Sequence, residues 1–253
     1  MQKKREYSAR FRFYEELNDF LPSKKRKQTF DFWFNGHPGI KDPIECLGVP
    51  HTEVDLIVVN GESVDFHYQL QNGDFVSVYP VFESLDITPI VALREKPLRR
   101  TAFVLDVHLG KLARMLRLLG FDVKYKNDYD DPEIVQISLD ENRIILTRDR
   151  RLLFAKVITH GYWVRSTIPE QQVKEILHRF DLHECTKPFH RCIVCNGTIN
   201  PVDKQSILDR LQPKTIRYFH EFHRCKKCDR IYWQGSHFVK IQKKLDQILE
   251  TGH

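Results

Sequence analysis

Cys192-Ile-Val-Cys195 and Cys225-Lys-Lys-Cys228 are two C-x-x-C pairs separated by 29 residues. No other feature so narrows what this chain can fold into. Four thiolates presented on two tight turns suit tetrahedral Zn²⁺ at a closed, structural site. Disulfides and a redox C-x-x-C are the competing readings, since six cysteines make an even number. The opening MQKKREYSAR carries positive charge with no apolar stretch behind it, so no secretory signal is expected. A reducing, cytoplasmic setting follows, and it favours zinc over disulfides. Cys46 and Cys185 are left over as ordinary thiols, with Cys185 or His190 as an alternative ligand. A set of four protein ligands leaves no open position, so zinc here holds the fold and does no chemistry. The run RIYWQGSHFVKI after Cys228 has two β-rich segments around Gly235, the expected hairpin of a zinc ribbon. VKIQKKLDQILE near the end reads as a short amphipathic helix.

The 253 residues, 41% of them hydrophobic, leave ample material for more than one core. No apolar run is long enough for a membrane span. The net charge of +6 is unevenly spread. Residues 1–95 hold 11 basic against 15 acidic side chains, residues 96–180 hold 16 against 11, and residues 181–253 hold 13 against 8. An acidic first third before a basic remainder suggests that the later part meets a polyanion, or else carries a solvated surface with no partner. Two prolines and a basic cluster in DITPIVALREKPLRR, 86–100, mark a linker or domain edge. A second break falls near 181–191. Three units are expected: 1–95, 96–180 and 181–253.

In the first unit, YSARFRFY and TFDFWF alternate as strands. DPIECLGV reads as a short helix stopped by Gly48. VDLIVVNGESV carries Asn-Gly between two strand-like runs, a strong hairpin signal. LQNGDFVSVYPVF adds a second Asn-Gly turn and another strand. Two strands, a helix and two more strands is the β-grasp order. The stretch from Val49 to Glu83 resembles the ubiquitin-like domains related to sulfur-carrier proteins. Those end in a free Gly-Gly whose carboxylate is activated. Here YPVF runs on into ESLDITPI, so a docking or structural role is expected instead. His51 and His67 have no matching ligand set and read as ordinary histidines.

In the second unit, strand and helix patterns alternate, which predicts an α/β fold with a mainly parallel sheet. FVL ends on Asp106. Leu109, Leu112, Ala113, Leu116 and Leu119 then recur at helical spacing, with Lys111, Arg114 and Arg117 elsewhere on the turn and Gly120 as the stop. DVKYK reads as a strand, EIVQISLDE as a helix opened by Pro132, and RIILT as a buried strand. RRLLFAKVITHG is helix-like, YWVRS a strand, and EQQVKEILHRF a helix. Ligands of open parallel sheets bind beyond the carboxyl ends of the strands. Asp106 and Asp149 stand at two such ends, and Asp131 opens a helix on the same rim. Clustered carboxylates repel unless a cation neutralises them, and Mg²⁺ or Mn²⁺ suits an oxygen-only set. The simpler alternatives are helix capping for Asp106 and Asp131 and a surface ion pair for Asp149.

DVHLGKLARMLRLLGFDVKY, DDPEIVQISLDENRIILTRDRRLL and the two cysteine pairs together resemble the Mut-seven C-terminal RNase family, over nearly the whole chain. The most specific elements are D-x-x-L-G-x-L-A-R-x-L-R-x-L-G from Asp106 and T-R-D-R at 147–150. The resemblance implies a PIN-like nuclease fold joined to a zinc ribbon, with the β-grasp domain in front. It implies that Asp106, Asp131 and Asp149 bind a catalytic Mg²⁺ or Mn²⁺, with Asp130 as a fourth candidate that trades places with Asp131. Lys111, Arg114, Arg117 and Arg148 become candidate phosphate contacts, each with a solvated-face alternative. In the ribbon, Arg224, Lys226, Lys227 and Arg230 are interleaved with His223, Tyr232, Trp233 and Phe238, a pattern that fits RNA as well as packing around zinc. The expected function is metal-dependent hydrolysis of RNA phosphodiesters, with no membrane and no nucleotide cofactor. The β-grasp unit is expected to recruit a protein partner or to pack on the core. The alternative is a non-catalytic RNA-binding or ribosome-associated adaptor.

Overall fold

The computed structural model describes residues 6–80 and 101–249. The expected linker at 86–100 and the boundary at residue 95 lie outside the described residues. In chain order the elements are β1 (Tyr7–Phe13), β2 (Phe30–Phe34), α1 (Lys41–Cys46), β3 (Val54–Val59), β4 (Glu62–Val64) and β5 (Phe75–Pro80). Then follow β6 (Ala102–Leu105), α2 (Gly110–Leu118), β7 (Asp122–Lys124), α3 (Asp131–Glu141), β8 (Ile144–Thr147), β9 (Gly161–Trp163) and α4 (Pro169–Arg179). The chain continues with β10 (Ile199–Val202), α5 (Pro213–Tyr218), β11 (Phe222–Cys225), β12 (Ile231–Trp233) and α6 (Ser236–Leu249). Two units emerge. The first joins residues up to 80 with Asp149–Trp163, and the second joins 101–148 with 164–249.

The first unit is built on a mixed sheet in the order β2-β1-β5-β3-β4, with β1 and β5 parallel at its centre. Period-two alternation sends Ala9, Phe11 and Phe13 of β1 into the core, while Arg10 is left exposed. α1 adds Ile44 to the same core. The β3–β4 turn sits on Asn60 and Gly61, whose φ values of 52 and 94 give the turn the left-handed backbone that suits twisted strands. Residues 149–163 pack on this sheet. His51 is buried, with Nδ1 2.6 Å from Glu45 Oε1 and Nε2 2.9 Å from the Ile158 carbonyl. Glu53 accepts from the Trp163 N–H at 2.6 Å, and the Trp163 ring lies 5.1 Å from that of Phe20. The helix expected over RRLLFAKVITHG is a single 3₁₀ turn, Arg150–Phe154. Burial of Leu152, Leu153 and Ile158, with the Ile158 carbonyl turned to His51, outweighs the local helical pattern.

In the second unit β7, β6 and β8 lie side by side and parallel, with Phe103 opposite Val123 on one flank and Ile144 on the other. All four residues of β6 and of β8 are buried, as expected for a sheet covered on both faces. α2 buries Leu112, Ala113 and Leu116, with Leu109 and Leu119 at its ends. Gly120 follows in the left-handed region at φ 96, and the Leu118 and Leu119 carbonyls accept the N–H groups of Phe189 and Lys187. A Cβ on Gly120 would lie 2.3 Å from the Lys187 carbonyl oxygen. Gly120→Ala is therefore expected to cost about 3 kcal/mol, combining left-handed strain with a backbone collision, or roughly 10 °C in Tm. Gly73→Ala, at φ 88 with nothing within 4 Å, should cost only about 1 kcal/mol. Equal melting shifts for the two variants would contradict the close approach at Gly120.

The last part of the second unit is a three-stranded antiparallel sheet, β10-β11-β12. The hairpin expected around Gly235 is not there. β12 ends at Trp233 and the HFVKI segment begins α6. Phe238, Ile241, Leu245 and Ile248 recur at helical spacing, and Leu245 and Ile248 are buried. Lys244 pairs with Glu170 of α4, and the Phe238 ring lies 4.2 Å from that of Phe189. Helical periodicity over four turns wins over the β-forming residues at its start.

Candidate active site and metal centre

Asp106 leaves β6 in an extended conformation and caps the 3₁₀ turn Val107–Leu109. Its carboxylate is buried. Oδ1 accepts from the His108 N–H at 2.7 Å. Oδ2 accepts from the Arg148 N–H at 2.8 Å and from the Thr147 hydroxyl. Thr147 and Arg148 come from the end of β8, the strand beside β6. Two parallel strands thus stop together and surround one carboxylate with donors. A carboxylate offers about four lone-pair directions. Three of them are used here, and one on Oδ1 is left, which fits a single bond to a hard cation.

The other acidic candidates sit differently. The cap of α3 is Asp130 and not Asp131. Asp130 accepts from the Glu133 N–H at 2.8 Å, and Glu133 reaches back to the Asp130 N–H at 3.2 Å. This closed capping box leaves Asp131 exposed on the first turn. Asp149 is partly exposed and accepts from the Arg151 N–H at 2.8 Å. Among the described residues no three carboxylates bring their oxygens within 4.8 Å of one another. The geometry therefore gathers Asp106 with Thr147 and Arg148.

The basic candidates divide into two kinds. Lys111 and Arg114 are exposed on α2. Arg117 is buried, and its guanidinium donates to the Val123 carbonyl at 2.8 and 3.0 Å and to the Ile193 and Val194 carbonyls at 3.1 and 3.0 Å. Arg148 donates to the carbonyls of Val164, Arg165 and Ser166. Both arginines hold backbone in place. Arg224 lies 3.4 Å from Asp229, and Lys226 and Lys227 are exposed beside the second cysteine pair.

The four cysteines do converge. All four sulfurs lie within 4.8 Å of one another, with Cys192 Sγ 3.6 Å from Cys228 Sγ and Cys195 Sγ 3.4 Å from Cys225 Sγ. No disulfide joins them. Zn–S bonds of about 2.3 Å in a tetrahedron place sulfurs about 3.8 Å apart, so the donor set and spacing fit zinc. Each pair is built the same way. The residue after the second cysteine is left-handed, Asn196 at φ 63 and Asp229 at φ 60. Each also donates its N–H to the carbonyl of the first cysteine, at 2.9 and 3.0 Å. A Cβ on Gly197 would lie 2.8 Å from Cys225 Sγ, so only glycine lets the two turns meet. Burial works against the Cys192 thiolate, but the Tyr232 hydroxyl and backbone N–H groups bring that thiol down to about 6. Burial, reinforced by the neighbouring sulfurs, pushes Cys195 up to about 12.

Asp122 of β7 ties this cluster to the parallel sheet. It accepts from Arg143 at 2.8 Å, Arg191 at 3.0 Å and the Asn196 amide at 2.7 Å, while Asn196 accepts from the Val123 N–H at 3.0 Å. Burial alone would raise its pKa, yet these partners hold the carboxyl below the usual range. Asn after a C-x-x-C pair is the one local sign of this network in the sequence. The matching Asp122 gives none.

Residues 101–245, more than half of the chain, match the Mut7-C RNAse domain. The chain belongs to the Mut7-C RNAse domain family. Residues 7–86 match the Mut7-C ubiquitin domain, in accord with the mixed β-grasp sheet. Among curated proteins and among solved structures, none matches the chain. The Mut7-C domain runs through β6 to β12 without a break, so parallel sheet and cysteine cluster form one family unit. Its motif from Asp106 to Gly120 also gains a physical meaning. Asp106 caps the turn at the sheet rim. Gly110 lets Tyr125 close in, since a Cβ there would lie 2.6 Å from the Tyr125 hydroxyl. Arg117 fixes the first cysteine turn, and Gly120 admits Lys187. No described helix is long and apolar enough to cross a membrane.

Proposed function

We propose that this chain is a metal-dependent ribonuclease that hydrolyses RNA phosphodiester bonds. One observation supports this above the rest. In a chain of the Mut7-C RNAse domain family, a buried carboxylate stands at the end of the middle parallel strand, with one lone-pair direction open and exposed cations on the helix that follows. Asp106 is the first ligand of the proposed Mg²⁺ or Mn²⁺. The family resemblance adds Asp131 and Asp149, with Asp130 as the alternate. When bound, such an ion polarises a phosphate oxygen and lowers the pKa of a water. The chain's own part is to hold Asp106 oriented through Thr147, His108 and Arg148, and to attract the phosphate with Lys111 and Arg114. Arg117, Arg148, Arg224, Lys226 and Lys227 extend the positive field. Zn²⁺ on Cys192, Cys195, Cys225 and Cys228 is structural, and the β10–β12 sheet is its ribbon. The three-part layout, 1–95, 96–180 and 181–253, belongs to the same proposal. So does a cytoplasmic location, as does a protein partner for the β-grasp unit, which also packs on the segment that opens with Asp149.

The test is cleavage of an end-labelled RNA pool with EDTA, Mg²⁺ or Mn²⁺. Cleavage that needs the divalent ion and falls at least about 100-fold in Asp106→Asn, the loss of several kcal/mol of charge stabilisation, supports the proposal. Asp149→Asn is the companion variant, because its side chain is partly exposed and the fold depends on it less. Undiminished cleavage by both would remove these residues from the site. The second reading, a non-catalytic RNA-binding adaptor, draws on the three protein donors already filling Asp106, which suit a cap. RNA bound without cutting under every ion would establish it.

A further inference from the structure

A cavity of 1110 Å³ opens in the second unit, walled by α2, the 125–128 loop, the start of α4 and both cysteine turns. Its charge is one-sided. Lys111, Arg114, Arg117, Lys126 and Arg230 line it against one carboxylate, Asp128. Among the described residues, Lys111, Arg114 and Arg230 form no ion pair, and the buried Arg117 spends its hydrogen bonds on carbonyls. A concave wall concentrates such unpaired charge and draws in anions. The lining also offers Tyr125 and the exposed Val194 as flat and apolar faces. Drug-sized ligands fill pockets of about 300–1,000 Å³, so this cavity takes more than a phosphate ion. A few unpaired nucleotides fit. A double helix does not, because duplex RNA is met along an extended outer face.

We infer that this cavity takes an unpaired RNA strand, with phosphates on Lys111, Arg114 and Arg230 and bases against Tyr125 and Val194. The inference rests on the ribonuclease reading and adds to it the class of substrate. It also gives the cysteine cluster a second task. Val194 lies inside the first cysteine turn and Arg230 two residues past Cys228, so the metal-binding module forms part of the strand's wall. His108 lines the same cavity and donates its N–H to Asp106. A strand held there passes the turn that carries the acid.

The experiment measures anisotropy of a short labelled RNA, single-stranded or as a perfect duplex of the same length. The full zinc-loaded chain carries Asp149→Asn so that the RNA survives. Arg114→Ala and Arg230→Ala are each expected to weaken single-strand binding about tenfold. Each should also make the slope of log K against log salt shallower by about 0.7. Lys214→Ala, exposed and away from the cavity, should change neither. Zinc content and circular dichroism confirm that the variants fold. Equal affinity for the duplex, or unchanged binding by Arg114→Ala and Arg230→Ala together, overturns the cavity while divalent-dependent cleavage still supports the ribonuclease. The expected losses in a wild-type chain that never cuts would keep the cavity as a strand site and discard the ribonuclease.

Discussion

Cys225→Ser is expected to unfold the β10–β12 sheet and to drop bound zinc from one ion per chain to well below half. The reason is the poverty of the core around it. Cys192, Ile199 and Cys225 form its buried cluster, with Cys195 and Tyr232 packed against them, and Phe222 is the one further buried side chain on the three strands. So small a cluster cannot offset the entropy of ordering three strands. The proposed structural zinc would add on the order of 10–16 kcal/mol at neutral pH, which more than closes that gap. Serine keeps the shape and loses the thiolate, so the loss isolates the metal bond from packing. Trp233 on β12 reports the change, because its ring lies 6.4 Å from Phe222 in the folded sheet, and its emission should move to longer wavelength. A chelator in excess should reproduce the shift in the wild-type chain, more readily at low pH, where protons compete for the thiolates. A chain that carries no zinc, or a variant that melts at the wild-type temperature, would show that the cysteines hold no structural ion.

Arg117→Met is expected to destabilise the second unit by about 3 kcal/mol. Methionine conserves the length of the stem and removes the guanidinium. The buried Val123 carbonyl and the half-buried carbonyls of Ile193 and Val194 then lose their donor, at about 1–3 kcal/mol for the buried group left unsatisfied and less for the other two. Two of the three belong to the first cysteine turn. The melting transition should therefore shift downward by roughly 6–12 °C, and zinc should leave the variant faster than it leaves the wild-type chain. Arg114→Met, one turn earlier but exposed, is the reference and should change stability by less than about 0.5 kcal/mol. Similar transitions for both arginine variants would mean that Arg117 does not hold the turn. Faster zinc loss without a change in melting would confine its role to the metal site.

The contrast between these arginines marks what local sequence determines. Both stand in one motif on one helix, and periodicity separates neither from the other. The apolar positions of α2 are legible because burial of one helix face is a period-3.6 pattern, and each of the five predicted residues is buried. The Asn60-Gly61 hairpin is legible because only a few residues adopt a left-handed backbone cheaply. The cysteine spacing is legible because thiolates have few uses. These signals are local, and each carries its own physical penalty for substitution.

What tertiary structure decided is where long-range partners meet. Arg117 became a strut because two carbonyls 76 and 77 residues further along the chain arrive beside it. The choice of Asp130 over Asp131 as cap was by contrast local, since Glu133 three residues on closes the box back onto Asp130. The helix expected over VKIQKKLDQILE starts three residues earlier, at Ser236, because Phe238 there meets the ring of Phe189 instead of pairing in a hairpin. Asp106 was recognisable as an acid at a strand end, but its setting among Thr147, Arg148 and His108 depends on a second strand stopping at the same height. The same holds for the basic cavity, whose walls come from segments up to 122 residues apart, from His108 to Arg230. The sequence by itself determined the periodic faces, the turns and the thiols, because each is an energy between near neighbours. Only the fold decided which charges are buried, which are shared and which still face an open cavity, because those depend on partners that the chain brings together only when it closes.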